Sequence, residues 1–281
     1  MKYQLSNGNI LVCVDSKGAE MVSLICRGKE RLWQNVTGEW SGHAPVLFPV
    51  CGKCSMIVNK REYPIEKHGF ARKREFSVVE RGRDFIAFRL LADEETKKVF
   101  PFDFAFTVRY RLLDNAVEVV YETENAGTKP LYFSCGGHES FALETPIEDY
   151  EVRFEKEEKL IALVHDDEGR LTGEKILLSE NGILPLKAEY FTGDSTLIFS
   201  NLQSRKATLY GNGRAVAQTG FEGFENFLLW KPQQANMICL EPWLNLPDTV
   251  GERKEFSRKT GVVCVPPKGK KIFVRKITYY E

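Results

Sequence analysis

The chain has 281 residues, 43% of them hydrophobic and 28% charged, which is enough apolar material for a large core and unlike a disordered composition. Lys plus Arg and Asp plus Glu both number 39, so the formal charge is zero and no long-range field draws the molecule to nucleic acid or an anionic membrane. No apolar run reaches the roughly 18 residues a membrane helix needs, and Met1 to Ile10 alternates polar and apolar residues instead of placing a basic segment before an apolar one. The expectation is a cytoplasmic protein with no membrane partner.

In chain order, segments of alternating or β-branched character fall at Ile10 to Val14, Phe76 to Val79, Phe85 to Leu90, Phe104 to Arg111, Ala116 to Tyr121, Leu131 to Ser134, Thr196 to Phe199, Phe227 to Trp230 and Ile272 to Ile277. Turn signals such as Ser6-Asn7-Gly8, Asn125-Ala126-Gly127 and Gly211-Asn212-Gly213 separate them. Many short strands with frequent turns predict an all-β sandwich or barrel. One hairpin is legible at residue level: Ala105 to Leu112 and Val117 to Thr123 flank Leu113-Asp114-Asn115-Ala116, where Asp and Asn tolerate the tight backbone. The best helical candidate is the short charged stretch Glu252 to Phe256. With no Pro/Gly/Ser-rich linker, low-complexity tract or repeat, one domain over residues 1–281 is the economical reading.

Seven scattered cysteines form an odd set in apolar segments, which points to reduced, mostly buried thiols rather than a disulfide framework. Cys51-Gly52-Lys53-Cys54 is a CxxC pair, but it has no second pair for a zinc site and opens no thioredoxin-like helix.

Three stretches place ionisable groups beside Gly or Pro. The first runs from Ala44-Pro45-Val46-Leu47-Phe48-Pro49 through Gly52-Lys53 to His68-Gly69-Phe70-Ala71-Arg72. The second is Cys135-Gly136-Gly137-His138-Glu139-Ser140-Phe141, whose paired glycines let backbone approach a ligand closely. The third, Met237-Ile238-Cys239-Leu240-Glu241-Pro242-Trp243, ends an apolar strand on a carboxylate, a costly placement unless the group is paired or used.

Each stretch resembles the matching part of the aldose 1-epimerase (galactose mutarotase-like) family, in the family's order. Leu5-Ser6-Asn7-Gly8, Gly18-Ala19-Glu20-Met21, Leu32-Trp33-Gln34 and Leu246-Pro247-Asp248 extend the likeness over essentially the whole chain and toward the compact bacterial branch. The resemblance implies a large antiparallel β-sandwich whose concave face holds a sugar, with His138 as general acid, Glu241 as general base and His68 as a second active-site histidine. It implies an isomerase that interconverts the α and β anomers of a free aldose without cofactor or metal. Opening a hemiacetal needs a proton taken from the anomeric hydroxyl and one delivered to the ring oxygen, so an ionised Glu241 and a protonated His138 are expected.

The chain departs from the pattern at Lys53, where many members carry Arg, and Lys lacks the two-pronged planar donor. Arg72 is a candidate for sugar hydroxyls, and Trp230 for stacking on an apolar sugar face. The cysteines of the CxxC pair are expected to line the approach to the pocket. Three other readings stand beside the epimerase. One is a two-histidine, one-carboxylate metal site built from His68, His138 and Glu241. Another is a non-catalytic sugar-binding or sensing protein. The third is a hexose-phosphate mutarotase using Lys53, Arg72, Lys73 or Arg74 for the phosphate, with Lys73 facing away from Arg72 and Arg74 if that segment is a regular strand.

Overall fold

The computed structural model describes residues 1–193 and 195–280. Among these, two large antiparallel sheets dominate, one of nine strands and one of eight. Both sheets contribute to one buried apolar cluster that reaches from Leu5 to Tyr279. This is the large antiparallel β-sandwich that the resemblance implied. A four-stranded meander over Lys2–Ser6, Ile10–Asp15, Glu20–Cys26 and Lys29–Glu30 precedes it.

Period-2 patterning explains the layering. In Ala116–Asn125 the residues Val117, Val119, Tyr121 and Thr123 are buried while Glu118, Glu122 and Glu124 are partly exposed, as alternation across a half-buried strand requires. The hairpin with Phe104–Leu112 forms as read, closed by the Leu113 N–H donating to the Ala116 carbonyl at 2.8 Å. Lys270–Tyr279 pairs along the other edge of Ala116–Asn125 and turns Arg275, Ile277 and Tyr279 inward. Each segment read as a strand lies on one, with ends moved by a few residues.

Two expectations fail for local reasons. Glu252 to Phe256 holds no α-helix; the chain there ends in a single 3-10 turn, Phe256–Arg258. Among the described residues the one α-helix is Glu94–Val99, too short for helical periodicity but closed by a capping box in which the Asp93 side chain accepts from the Thr96 N–H and the Thr96 hydroxyl from the Asp93 N–H. The Arg72 to Arg74 segment is not a strand either. Ala71–Lys73 is a 3-10 turn, so alternation says nothing about which way Lys73 faces. No helix is long and apolar enough to cross a membrane among the described residues.

The eight-stranded sheet carries the chemistry-bearing stretches. Its Met237–Trp243 strand is flanked by Asn226–Trp230 on one side and by Gly136–Gly137 and Glu139–Ala142 on the other, and every one of its seven residues is buried. A carboxylate in that strand is shielded from bulk solvent.

Candidate active site

His138 and Glu241 meet through strand register. Gly136 pairs with Trp243 and Glu139 with Leu240, and carrying that antiparallel register across the gap sets His138 opposite Glu241. The imidazole Nε2 lies 3.3 Å from the Glu241 Oε2. His138 is 7% exposed, His68 6% and Glu241 1%, so all three side chains are shielded from solvent. Trp243, two residues along the same strand and therefore on the same face as Glu241, donates its indole N–H to Oε2 at 3.1 Å.

His68 reaches the pair by an unusual backbone. Its φ is +69°, left-handed for a residue with a side chain, a conformation costing roughly 1–3 kcal/mol that surrounding contacts must hold. Those contacts are reciprocal: the His68 N–H donates to the Gly52 carbonyl at 3.0 Å, and the Gly52 N–H donates to His68 Nδ1 at 3.2 Å. Because Nδ1 accepts, the neutral ring carries its proton on Nε2 and is a donor there. Gly69 follows because a Cβ at that position would fall 2.2 Å from the Phe48 carbonyl oxygen. The His68 ring packs edge-on to His138 at 5.5 Å and to Trp243 at 5.2 Å between centroids.

The glycines before His138 also have a cause. A Cβ on Gly137 would sit 2.3 Å from the Arg275 guanidinium carbon. That guanidinium forms a buried two-pronged ion pair with Glu139, and its Nε donates to the Tyr121 hydroxyl at 3.0 Å. Arg275 comes from the nine-stranded sheet, so this ion pair ties the two sheets together directly beside His138.

Burial sets the electrostatics. Desolvation pushes the His138 pKa down to about 3, helped by the nearby positive charges of Arg72 and Lys67. It also holds His68 well below the ordinary histidine value, with His138, Lys67 and Arg72 acting in the same direction. Burial raises Glu241 well above the usual carboxylate range, opposed by the Lys67 charge and the Trp243 hydrogen bond. When the pair holds one proton, burial therefore favours placing it on Glu241 and leaving His138 neutral. The sequence reading expected the charged arrangement of the same pair.

The sequence of residues 1–264 matches the family model described as aldose 1-epimerase. This chain belongs to the aldose 1-epimerase family. It is 28% identical to the LacX protein encoded on a plasmid of Lactococcus lactis subsp. lactis, over 95% of both chains. Among solved structures it is similar to a galactose mutarotase related enzyme from Lactobacillus acidophilus, at 27% identity and a TM-score of 0.93 with 100% of this chain and 98% of that one covered. A galactose mutarotase-like protein from Lactobacillus casei gives the same TM-score at 26% identity, with both chains covered in full.

In this aldose 1-epimerase family member, His68, His138, Glu241 and Trp230 come together. The Trp230 ring lies edge-on to His138 at 5.6 Å between centroids. Arg72 is half-buried, donates to the Lys67 carbonyl at 3.0 Å and acts on both histidines through its charge. Lys53 is not among the contacts of these four: its exposed side chain lines a cavity of about 170 Å³ bordered also by Trp243, Lys67, His165, Asp167 and Glu168. The cysteines do not line one approach. Cys51 is buried against Leu47 and Trp243, its thiol pushed up to about 12 by burial, while Cys54 borders a cleft of about 660 Å³ that Lys53 also lines. All seven cysteines are free and five are buried.

Three residues escaped the sequence reading. Trp40 stacks on His138 at 5.2 Å and 25°, and meets Trp230 edge-on at 5.4 Å. It comes from an irregular segment, and the sole sequence hint is Gly42, where a Cβ would strike the indole at 2.4 Å. Trp243 was readable from the two-residue spacing to Glu241. Lys67 was readable only as the neighbour of His68.

Proposed function

We propose that this chain is a mutarotase that opens and recloses the ring of an aldose, with Glu241 and His138 exchanging two protons with the sugar. The observation that carries this reading is the 3.3 Å approach of Nε2 and Oε2 between two buried side chains flanked by Trp40, Trp230 and Trp243. The hydroxyl and ring oxygens of a hemiacetal share one carbon, so two proton-transfer groups this close can serve both at once.

The protonation states close into a cycle. With His138 protonated and Glu241 ionised, Glu241 takes the anomeric proton while His138 protonates the ring oxygen; the bond from that oxygen to the anomeric carbon breaks and the aldehyde forms. The pair is then neutral, with the proton on Glu241, the arrangement that burial favours. Forming the charged pair by moving the proton from Glu241 to His138 costs its desolvation, and ring opening recovers that cost by returning the pair to the neutral form. Rotation about the adjacent bond and reversal of both transfers give the other anomer and restore the charged pair. Each positioned transfer is worth roughly 10²–10⁴-fold. His68 offers Nε2–H to the ring oxygen or a hydroxyl, and Trp40 or Trp230 offers a flat face to the sugar.

Polarimetry on freshly dissolved α-galactose and α-glucose tests the reading. Wild type is expected to accelerate equilibration and His138→Ala to lose at least about 10²-fold of that acceleration. A folded wild type that binds these sugars without accelerating them would instead be a sugar sensor.

A hexose phosphate is the second reading, favoured by Lys53 and Lys67. Both border the 170 Å³ cavity beside Trp243, and neither has a carboxylate within ion-pair distance among the described residues. Lys73 and Arg74 drop out because Glu66 and Asp93 already pair with them. If this reading holds, kcat/KM is higher for the 6-phosphate than for the free sugar, and Lys53→Ala, whose charge acts on neither histidine, reduces only the former.

A further inference from the structure

Cys239 has no part in the proton cycle, yet it lies on the same strand face as Glu241, two residues away, and is fully buried. Its Sγ, a ring nitrogen of His138 and a carboxylate oxygen of Glu241 all lie within 4.8 Å of one another. We propose that His138, Cys239 and Glu241 form a zinc-class metal site whose occupation shuts off the acid/base pair.

Geometry and chemistry both support it. Two bonds of about 2.0–2.1 Å at a tetrahedral angle set their ligand atoms about 3.3 Å apart, the separation of Nε2 and Oε2. Bringing Sγ into a bond of about 2.3 Å needs movement of about 1 Å. One thiolate, one imidazole and one carboxylate suit Zn²⁺ or Co²⁺ and disfavour Mg²⁺ and Ca²⁺, which want oxygen donors. Two anionic ligands neutralise the ion, so the buried cluster carries no net charge, and the thiol proton and the pair's shared proton leave to solvent. Three protein ligands leave a fourth position open. Because the metal takes Nε2 and Oε2, the atoms that exchange protons with the sugar, it acts as an inhibitor.

This extends the donor set weighed from the sequence. The third donor within reach of the pair is Cys239, not His68, whose Nδ1 is already taken by the Gly52 N–H. Metal binding stands independently of the mutarotase reading; only the inhibition rests on it.

The test uses the full-length chain with Co²⁺ and Zn²⁺. Co²⁺ titration of wild type is expected to give a saturable near-ultraviolet thiolate-to-cobalt band with intense visible bands of a four-coordinate ion. Cys239→Ser and Cys239→Ala should both lose that band, while Cys264→Ser, which removes the exposed thiol, keeps it. Zn²⁺ should inhibit wild-type mutarotation reversibly to chelator, and both Cys239 variants should raise the inhibition constant by more than the roughly 10–100-fold that loss of an outer-sphere partner costs. Their metal-free rates should match wild type. A thiolate–cobalt spectrum without any mutarotation would overturn the function and leave the metal site standing. No saturable Co²⁺ or Zn²⁺ binding, or a thiolate band and inhibition unchanged in both Cys239 variants, would overturn the site.

Discussion

A single proton shared between His138 and Glu241 is the centre of the residue-scale account. Adding a second proton to the pair requires protonating a histidine held down to about 3 by burial and by the Arg72 and Lys67 charges. Removing the last one requires ionising a carboxyl that burial holds well above its usual range. The pH profile of kcat/KM is therefore expected to have its acid limb far below the ordinary histidine value near 6.5 and its other limb shifted upward from the ordinary carboxylate range. Mutarotation rates measured against pH check this. An acid limb at about 6.5 would mean that His138 titrates as a solvated ring. His68, held well below the ordinary histidine value by burial, should add no limb near 6.5.

Strand pairing is what brings these residues together. Glycines and a proline drew attention to the stretches around His138 and Glu241, and the resemblance to aldose 1-epimerases gave the two residues their expected roles, but their opposition depends on a register between segments about a hundred residues apart, which no local pattern encodes. Most strands and the Leu113 to Ala116 hairpin were legible because alternation and turn residues are local signals. The Glu94–Val99 helix was not, since six residues carry no period, and Trp40 was not, since an irregular segment sets its place by contacts alone. The Arg275–Glu139 ion pair was invisible for the same reason: its partners lie on different sheets. Arg275→Met leaves the Glu139 charge buried and unpaired, and urea denaturation should show a loss of about 3–5 kcal/mol. Gly137→Ala drives a methyl into the same guanidinium and should lower the melting temperature as well as the rate, whereas an alanine at Gly8, where nothing lies within 4 Å, should not touch the rate.

The whole molecule behaves, on this account, as one unit. A continuous apolar cluster from Leu5 to Tyr279 and the ion pair between the sheets couple the two layers, so calorimetry should record one unfolding transition in wild type. Two separable transitions would divide the chain into independent parts. Zero formal charge suits a neutral sugar that needs no long-range steering, and leaves any preference for a phosphate to the local lysines beside Trp243. The central claim is turnover at the anomeric carbon by the buried pair, and the most direct measurement is NMR exchange between the α and β anomers of galactose at equilibrium, with wild type and Glu241→Gln at matched concentration. Exchange cross-peaks are expected with wild type and their loss, by at least about 10²-fold in rate, with Glu241→Gln; equal exchange with a folded Glu241→Gln would contradict turnover by the pair.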